Sequence, residues 1–236
     1  LIYYKGIIVP KNIEKAIYFM KLAADKNNSV DAQHFLYRFY ASGVDVVPNY
    51  KIALHYLTLA SDQGFSKAQY DLGFIYYEAK HVPRDMEKAI LLMTQAANQN
   101  YARAQYDLGY IYYYGKYIKQ DVKKAINYFT LAAKQNHIKA LICLGNIYSD
   151  GYFVPIDACK SIFYLEKAAE QNDAEALFLL GKIYFSPEYK VVDIKKSVHY
   201  MALAAGLNHV DAQNFLGAFY IDGKYVQRDV KKAIKY

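Results

Sequence analysis

The chain has 236 residues and a net charge of +7 without any lysine- or arginine-rich block, so nucleic acid is an unlikely ligand. At 54% hydrophobic and 22% charged it can bury a core, which excludes a disordered chain, and its apolar runs fall short of the roughly 20 residues of a membrane helix. Two cysteines, Cys143 and Cys159, and six scattered histidines form no disulfide framework and no metal spacing. No secretory leader is visible after Leu1, and a reducing cytoplasmic setting without cofactor or metal is expected.

In chain order the elements recur with a step of 36 residues. Residues 1–31 hold a partial repeat. Tyr3 and Gly6 close a first helix, Pro10 keeps the linker extended, Asn12 caps a second helix carrying Ala16 and Ala23, and Asn28 stops it. Residues 32–67 hold the first complete repeat, with Ala32, Leu36 and Tyr40 on one helix face. Tyr37 stands where later repeats have glycine, Gly43 ends the helix, Asn49 caps the next, and Ala53, Ala60 and Gly64 follow. The step from Ala16 to Ala53 is 37 residues, and the extra residue falls in the connection KNNSVDA, where a loop absorbs it.

Residues 68–103 repeat the pattern with Leu72, Gly73, Tyr76, Asp85, Ala89, Ala96 and Asn100, but place Ala79 at the loop glycine. Residues 104–139 begin AQYDLGYIYYYG. Ala104, Leu108, Ile111 and Tyr112 lie at offsets of 0, +4, +7 and +8, the spacing of one helical face and not of a strand. Gly115 ends that helix, Asp121 caps its partner, and Ala125, Ala132 and Asn136 complete the set. Residues 140–175 and 176–211 follow suit, with Ser161 and Ser197 in the first alanine column and Pro187 at the second loop position that lacks glycine. Residues 212–236 open a further partial repeat with Leu216, Gly217 and Tyr220. The chain begins midway through one helix and ends midway through another, so a fragment of a longer protein is expected.

Each column has a physical reason. An Asn or Asp side chain before a helix accepts from orphan amides of its first turn, worth about 1 kcal/mol. Asn and Gly tolerate a positive φ and stop the second helix. Gly109, with Ala125 and Ala132 one heptad apart on the next helix, is expected to let the two backbones of a pair approach closely. One pair cannot bury its own apolar face, so pairs stack.

The pattern A-x3-L-G-x2-Y followed by a small residue and a double alanine resembles both the tetratricopeptide and the Sel-1-like repeat. Gly109 to Ala125 spans 16 residues, about four more than the 34-residue tetratricopeptide pattern allows. The extended linkers GKYIKQD and GKYVQRD are similar to those of the Sel-1-like repeat. The resemblance implies an all-α fold, an α/α solenoid wound as a right-handed superhelix. It implies an adaptor that holds partner proteins, in signalling or protein quality control. The subgroup with a cysteine pair in every repeat does not match. No GxGxxG, HRD or DFG segment marks the kinase domain that accompanies such repeats in some eukaryotic proteins.

Removing the framework columns leaves a second stripe on the first helices. Its slots are those of Tyr106, Tyr110 and Tyr113, which the resemblance places on a concave groove. In the preceding repeat the same slots hold Tyr70, Phe74 and Tyr77, with Asp71 and Asp107 beside the two sets; later repeats contribute Phe178 and Phe185. These residues are the candidate site for a protein or peptide partner, because tyrosine offers area and a hydroxyl at low entropic cost. The competing expectation is that they pack on the neighbouring repeat. Tyr114 beside the stripe is assigned no role. Lys123–Lys124, Lys195–Lys196 and Lys231–Lys232 recur in the first turn of the second helix, where the dipole disfavours them, and are read as a solvated face. Cys143 and Cys159 are read as unpaired thiols. No nucleophile and base converge, so a non-enzymatic scaffold is expected. The alternative is a docking or regulatory segment of a multidomain enzyme such as a protein kinase, with catalysis outside this chain.

Overall fold

The computed structural model describes residues 12–235; the expected roles of Tyr3, Gly6 and Pro10 lie outside them. Among the described residues there are thirteen α-helices, one short 3-10 turn at Pro187–Tyr189 and no strand. A second helix comes first, α1 (Ile13–Asp25). Five complete pairs follow: α2 (Val30–Ser42) with α3 (Tyr50–Asp62), α4 (Ser66–Glu78) with α5 (Met86–Asn98), and α6 (Ala102–Tyr114) with α7 (Val122–Lys134). Next come α8 (Ile138–Asp150) with α9 (Ala158–Ala169), and α10 (Ala174–Phe185) with α11 (Ile194–Gly206). The last are α12 (Val210–Asp222) and α13 (Val230–Lys235). The helices fall into two compact units. One comprises the described residues to Leu108 together with Lys116–Lys119. The other comprises Gly109–Gly115 and the described residues from Gln120 on.

The capping column does what its chemistry predicts. Asn12, Asn49, Asp85, Asp121, Asp157, Asp193 and Asp229 each accept from the amide three residues on, at 2.9–3.0 Å. The cap's own amide donates to the carbonyl of the framework tyrosine: Asp121 to Tyr112, Asp157 to Tyr148, Asp193 to Tyr184. The linker is therefore tied at its end to the helix it leaves. Asn28, Asn100, Asn136, Asn172 and Asn208 adopt positive φ where the second helices stop. Ala79 takes the loop glycine's left-handed conformation at φ 59°, which carries a steric penalty in any residue with a Cβ. Pro187 instead starts the 3-10 turn, and the left-handed residue moves to Lys190.

The leucine and alanine columns form the core. Leu36, Leu108, Leu144, Leu180 and Leu216 are wholly buried, as are Ala89, Ala125, Ala168 and Ala204. The glycine column works differently from the expected backbone approach. A Cβ on Gly109 would lie 2.6 Å from the Phe129 ring, one on Gly145 2.6 Å from Leu165, and one on Gly181 2.8 Å from Met201. The glycine is mainly a socket for a bulky side chain four residues beyond the small residue of the second helix. At Gly73 a backbone atom, the Ala89 carbonyl oxygen at 3.0 Å, shares the closest contact, and at Gly217 the Ala233 carbonyl oxygen at 3.6 Å is the nearest atom. Where serine replaces alanine, its buried hydroxyl donates to the socket's carbonyl, Ser161 to Gly145 at 2.7 Å and Ser197 to Gly181 at 2.8 Å. Tyr37, in place of a socket glycine, packs against two neighbouring core clusters.

Candidate functional site

In the first unit the stripe is wired by hydrogen bonds from one repeat to the next. His34 Nε2 lies 2.9 Å from Asp71 Oδ2, and the Tyr70 hydroxyl donates to Asp107 Oδ2 at 2.6 Å. Arg103 donates to the same Asp107 oxygen at 3.0 Å. Asp71 and Asp107, read from sequence as partner-facing carboxylates, thus accept from their own chain. Burial, then the Asp107 charge, push the Tyr70 phenol far above its usual value. Tyr70 is buried, with Phe74 and Tyr101 against it at 5.9 and 5.3 Å between ring centres. It offers little surface to a partner. Phe74 continues to Tyr77 at 6.2 Å, and Tyr77 meets the linker residue Tyr117 edge-on at 5.8 Å. The Arg84 guanidinium lies 4.0 Å over the Tyr117 ring while its Nε donates to the Tyr77 carbonyl. Tyr106 is half-buried.

In the second unit Tyr110 is 42% exposed and lies 4.4 Å from Tyr114, which is 59% exposed. Tyr113 is half-buried, set at 81° to Tyr114 and 5.4 Å from Phe153. Tyr113, Tyr114, Asn146 and Asp150 line a groove of about 140 Å³ floored by Phe129, Ile147 and Cys143. Burial pushes the Cys143 thiol up to about 11, so it is neutral. Burial, then the Asp150 charge, raise the Tyr113 phenol. Further along the chain Phe178 is buried and stacks on His209 at 4.5 Å, and His209 Nε2 lies 3.1 Å from Glu175. Phe185 packs against Phe215, Phe219 and Tyr225.

Sequence reading missed the linker column that meets the stripe. Tyr77 touches Tyr117, Tyr113 touches Phe153, and Phe185 touches Tyr225, always 40 residues apart. It also left out Tyr114, which lines the groove. The lysine pairs need a correction too. Lys88, Lys124, Lys160, Lys196 and Lys232 hold their ammonium groups 4.9–5.3 Å over the framework tyrosine rings. Four of them also reach the capping aspartate, as Lys160 does at 2.9 Å from Asp157. The second lysine of each pair is therefore a local contact and not a plain solvated residue, though its exposure keeps the pair weak. A buried glutamine set also escaped notice. Gln33 accepts from Gln63, Gln69 accepts from Gln99, and Gln105 donates to the Ala97 carbonyl. Both cysteines are unpaired, with Cys159 exposed.

Stacked helix pairs with a glycine socket, a capped linker and a 36-residue register define an α-helical repeat protein. A profile of the Sel1 repeat matches residues 1–28, 30–65, 66–101, 102–137, 138–173, 174–209 and 210–236, so the chain belongs to the Sel1 repeat family. Comparison with curated proteins found no match. Among solved structures it resembles a protective antigen of uropathogenic Escherichia coli strains displaying an SLR fold, at 28% identity and a TM-score of 0.83. That match covers 98% of this chain and 50% of the antigen, so this chain spans about half the antigen's length. It also resembles a Sel1 repeat protein from Oxalobacter formigenes at 30% identity and a TM-score of 0.78, covering 99% of this chain and 67% of the other. No described helix is long and apolar enough to cross a membrane.

Proposed function

We propose that this chain is a non-enzymatic scaffold that holds a protein or peptide partner on the aromatic face of its first helices. Sel1 repeat proteins commonly serve protein interaction, and this chain is built of their repeat from end to end. The observation that carries the reading is the pair Tyr110 and Tyr114, large aromatics left exposed on a helix whose other face is fully packed. Large, stiff side chains on a rigid support lose little entropy on binding, which is how tyrosine comes to dominate contact surfaces. Among the other candidates, Phe74, Tyr77 and Tyr106 of the first unit and Tyr113 and Phe185 of the second are half-buried and would contribute edges, while Tyr70 and Phe178 are buried and offer little.

The test is site-specific. A photo-crosslinking amino acid at Tyr110 or Tyr114 should trap one partner species in host extract, and the same group at exposed Leu91 on a second helix should not. Equal trapping at both positions, or none at either tyrosine, refutes this face. Tyr110→Ala with Tyr114→Ala should lose capture while the circular dichroism spectrum stays helical.

A further inference from the structure

The corner formed by a stripe aromatic and a linker aromatic occurs three times, and its first two copies differ in the cations they hold, Arg84 and Lys116 both standing over Tyr117 in the first. In the first unit Tyr77 and Tyr117 form it, and the chain's own Arg84 places a guanidinium 4.0 Å over Tyr117. In the second unit Tyr113 and Phe153 form it, and the residue one 36-residue step after Arg84 is Gln120. Gln120 keeps the polar contact, donating to the Tyr113 carbonyl at 2.6 Å as Arg84 does to Tyr77, but it brings no charge. Among the described residues no lysine or arginine stands over Tyr113, Tyr114 or Phe153, although lysines cover five framework tyrosines.

Beside this corner lies the groove of about 140 Å³, which Tyr113 also lines. Small-molecule sites are typically about 300–1,000 Å³, so the groove suits one long side chain and not a cofactor. Tyr113 and Tyr114 both line it, their ring planes at 81° to each other, and an aromatic face is negative at its π surface. Asp150 adds a carboxylate that pairs with no described lysine or arginine, in a chain of net charge +7. Cys143 is neutral, and Lys139, whose charge reaches Cys143, precedes Asp150 by about 16 Å of helix rise. Ile147 and Phe129 supply an apolar floor.

We infer that this groove takes a lysine or arginine side chain of the partner, with its stem over Ile147 and its charge between the tyrosine rings and Asp150. The inference rests on the scaffold reading and names the chemistry that the partner presents. Aromatic faces bind cations, most strongly where water is displaced, and a nearby carboxylate adds direction. The chain supplies its own cation to the equivalent corner at Arg84 and leaves this one for another molecule.

The probes are glycine pentapeptides with lysine, arginine, norleucine or glutamate at the centre. They are titrated into the full chain carrying 13C in its tyrosine rings and 15N in its backbone. The lysine and arginine peptides should shift Tyr113, Tyr114 and Asn146 saturably, about fivefold more tightly than norleucine, with glutamate inert. Asp150→Asn should weaken the lysine peptide about fivefold. Gln120→Arg installs the guanidinium present one repeat earlier and should weaken it as much. Norleucine binding as well as lysine, lysine binding unaffected by both substitutions, or signals unmoved at about 10 mM lysine peptide, each overturns the inference. The scaffold reading fails separately, when crosslinking at Tyr110 and Tyr114 traps no partner.

Discussion

The slot one residue after the first stripe position is solved in two ways. In the first unit it holds Phe35 and then Asp71 and Asp107, the two carboxylates accepting hydrogen bonds from His34 and Tyr70 of the preceding repeat. In the second unit it holds Cys143, a groove floor, Leu179, and Phe215, which packs edge-on against Phe185. The framework is the same in both, so the difference lies in what each repeat says to its neighbour. Directional polar contacts fix one geometry, whereas aromatic contacts tolerate several. The exposed, adaptable tyrosines stand in the second arrangement.

The largest effect should ignore this contrast. Leu144→Ala empties a wholly buried site and should lower stability by about 2–5 kcal/mol in denaturant titration, as should Leu36→Ala in the other unit. A much smaller loss at either position would mean that the two frameworks are not equivalent. The next effect should separate the units. Tyr70→Phe removes the hydroxyl from Asp107 and should cost about 1–2 kcal/mol, while Phe185→Leu, which removes no polar partner, should cost less.

Alkali sharpens the same contrast. Burial first, with Asp71 and Asp25 respectively adding to it, holds Tyr37 and Tyr56 protonated up to about 12. Their folded values lie above the unfolded one, so their contribution is complete below about pH 10 and is lost as pH rises to about 12. The Cζ signals of both, followed by 13C NMR, should hold until the pH nears about 12. Ala79→Gly should raise stability by about 1 kcal/mol by relieving a left-handed alanine. Smallest of all, Lys160→Ala should leave the denaturant midpoint almost unmoved, because its ion pair with Asp157 is exposed.

The sequence disclosed what is identical in every repeat. The caps from Asn12 to Asp229, the stops from Asn28 to Asn208 and the leucine column are each forced by local backbone or burial, so they recur and can be counted. Contacts between repeats did not show, because they join residues 31–40 positions apart whose types change from one junction to the next. Tyr77 with Tyr117, His34 with Asp71, and Phe178 with His209 share no common type. Tyr70 and Tyr110 look alike in sequence and lie at 7% and 42% exposure, because Tyr101 and Asp107 close over the first. The glycine sockets were visible, but their occupants Phe129, Leu165 and Met201 differ, so the knob hid among ordinary core residues.

Those sockets bear on how such a chain can be edited. Gly145 and Leu165 belong to one repeat, as do Gly181 and Met201, so each matched pair travels within a single unit of 36 residues. A recombination that cuts after Asn136 and again after Asn172 would carry lock and key together. The seams at His34–Asp71 and Tyr70–Asp107 join different repeats, and a shuffled order would break them. Copy number is therefore free to change in this design, while the order of the copies is written at their junctions.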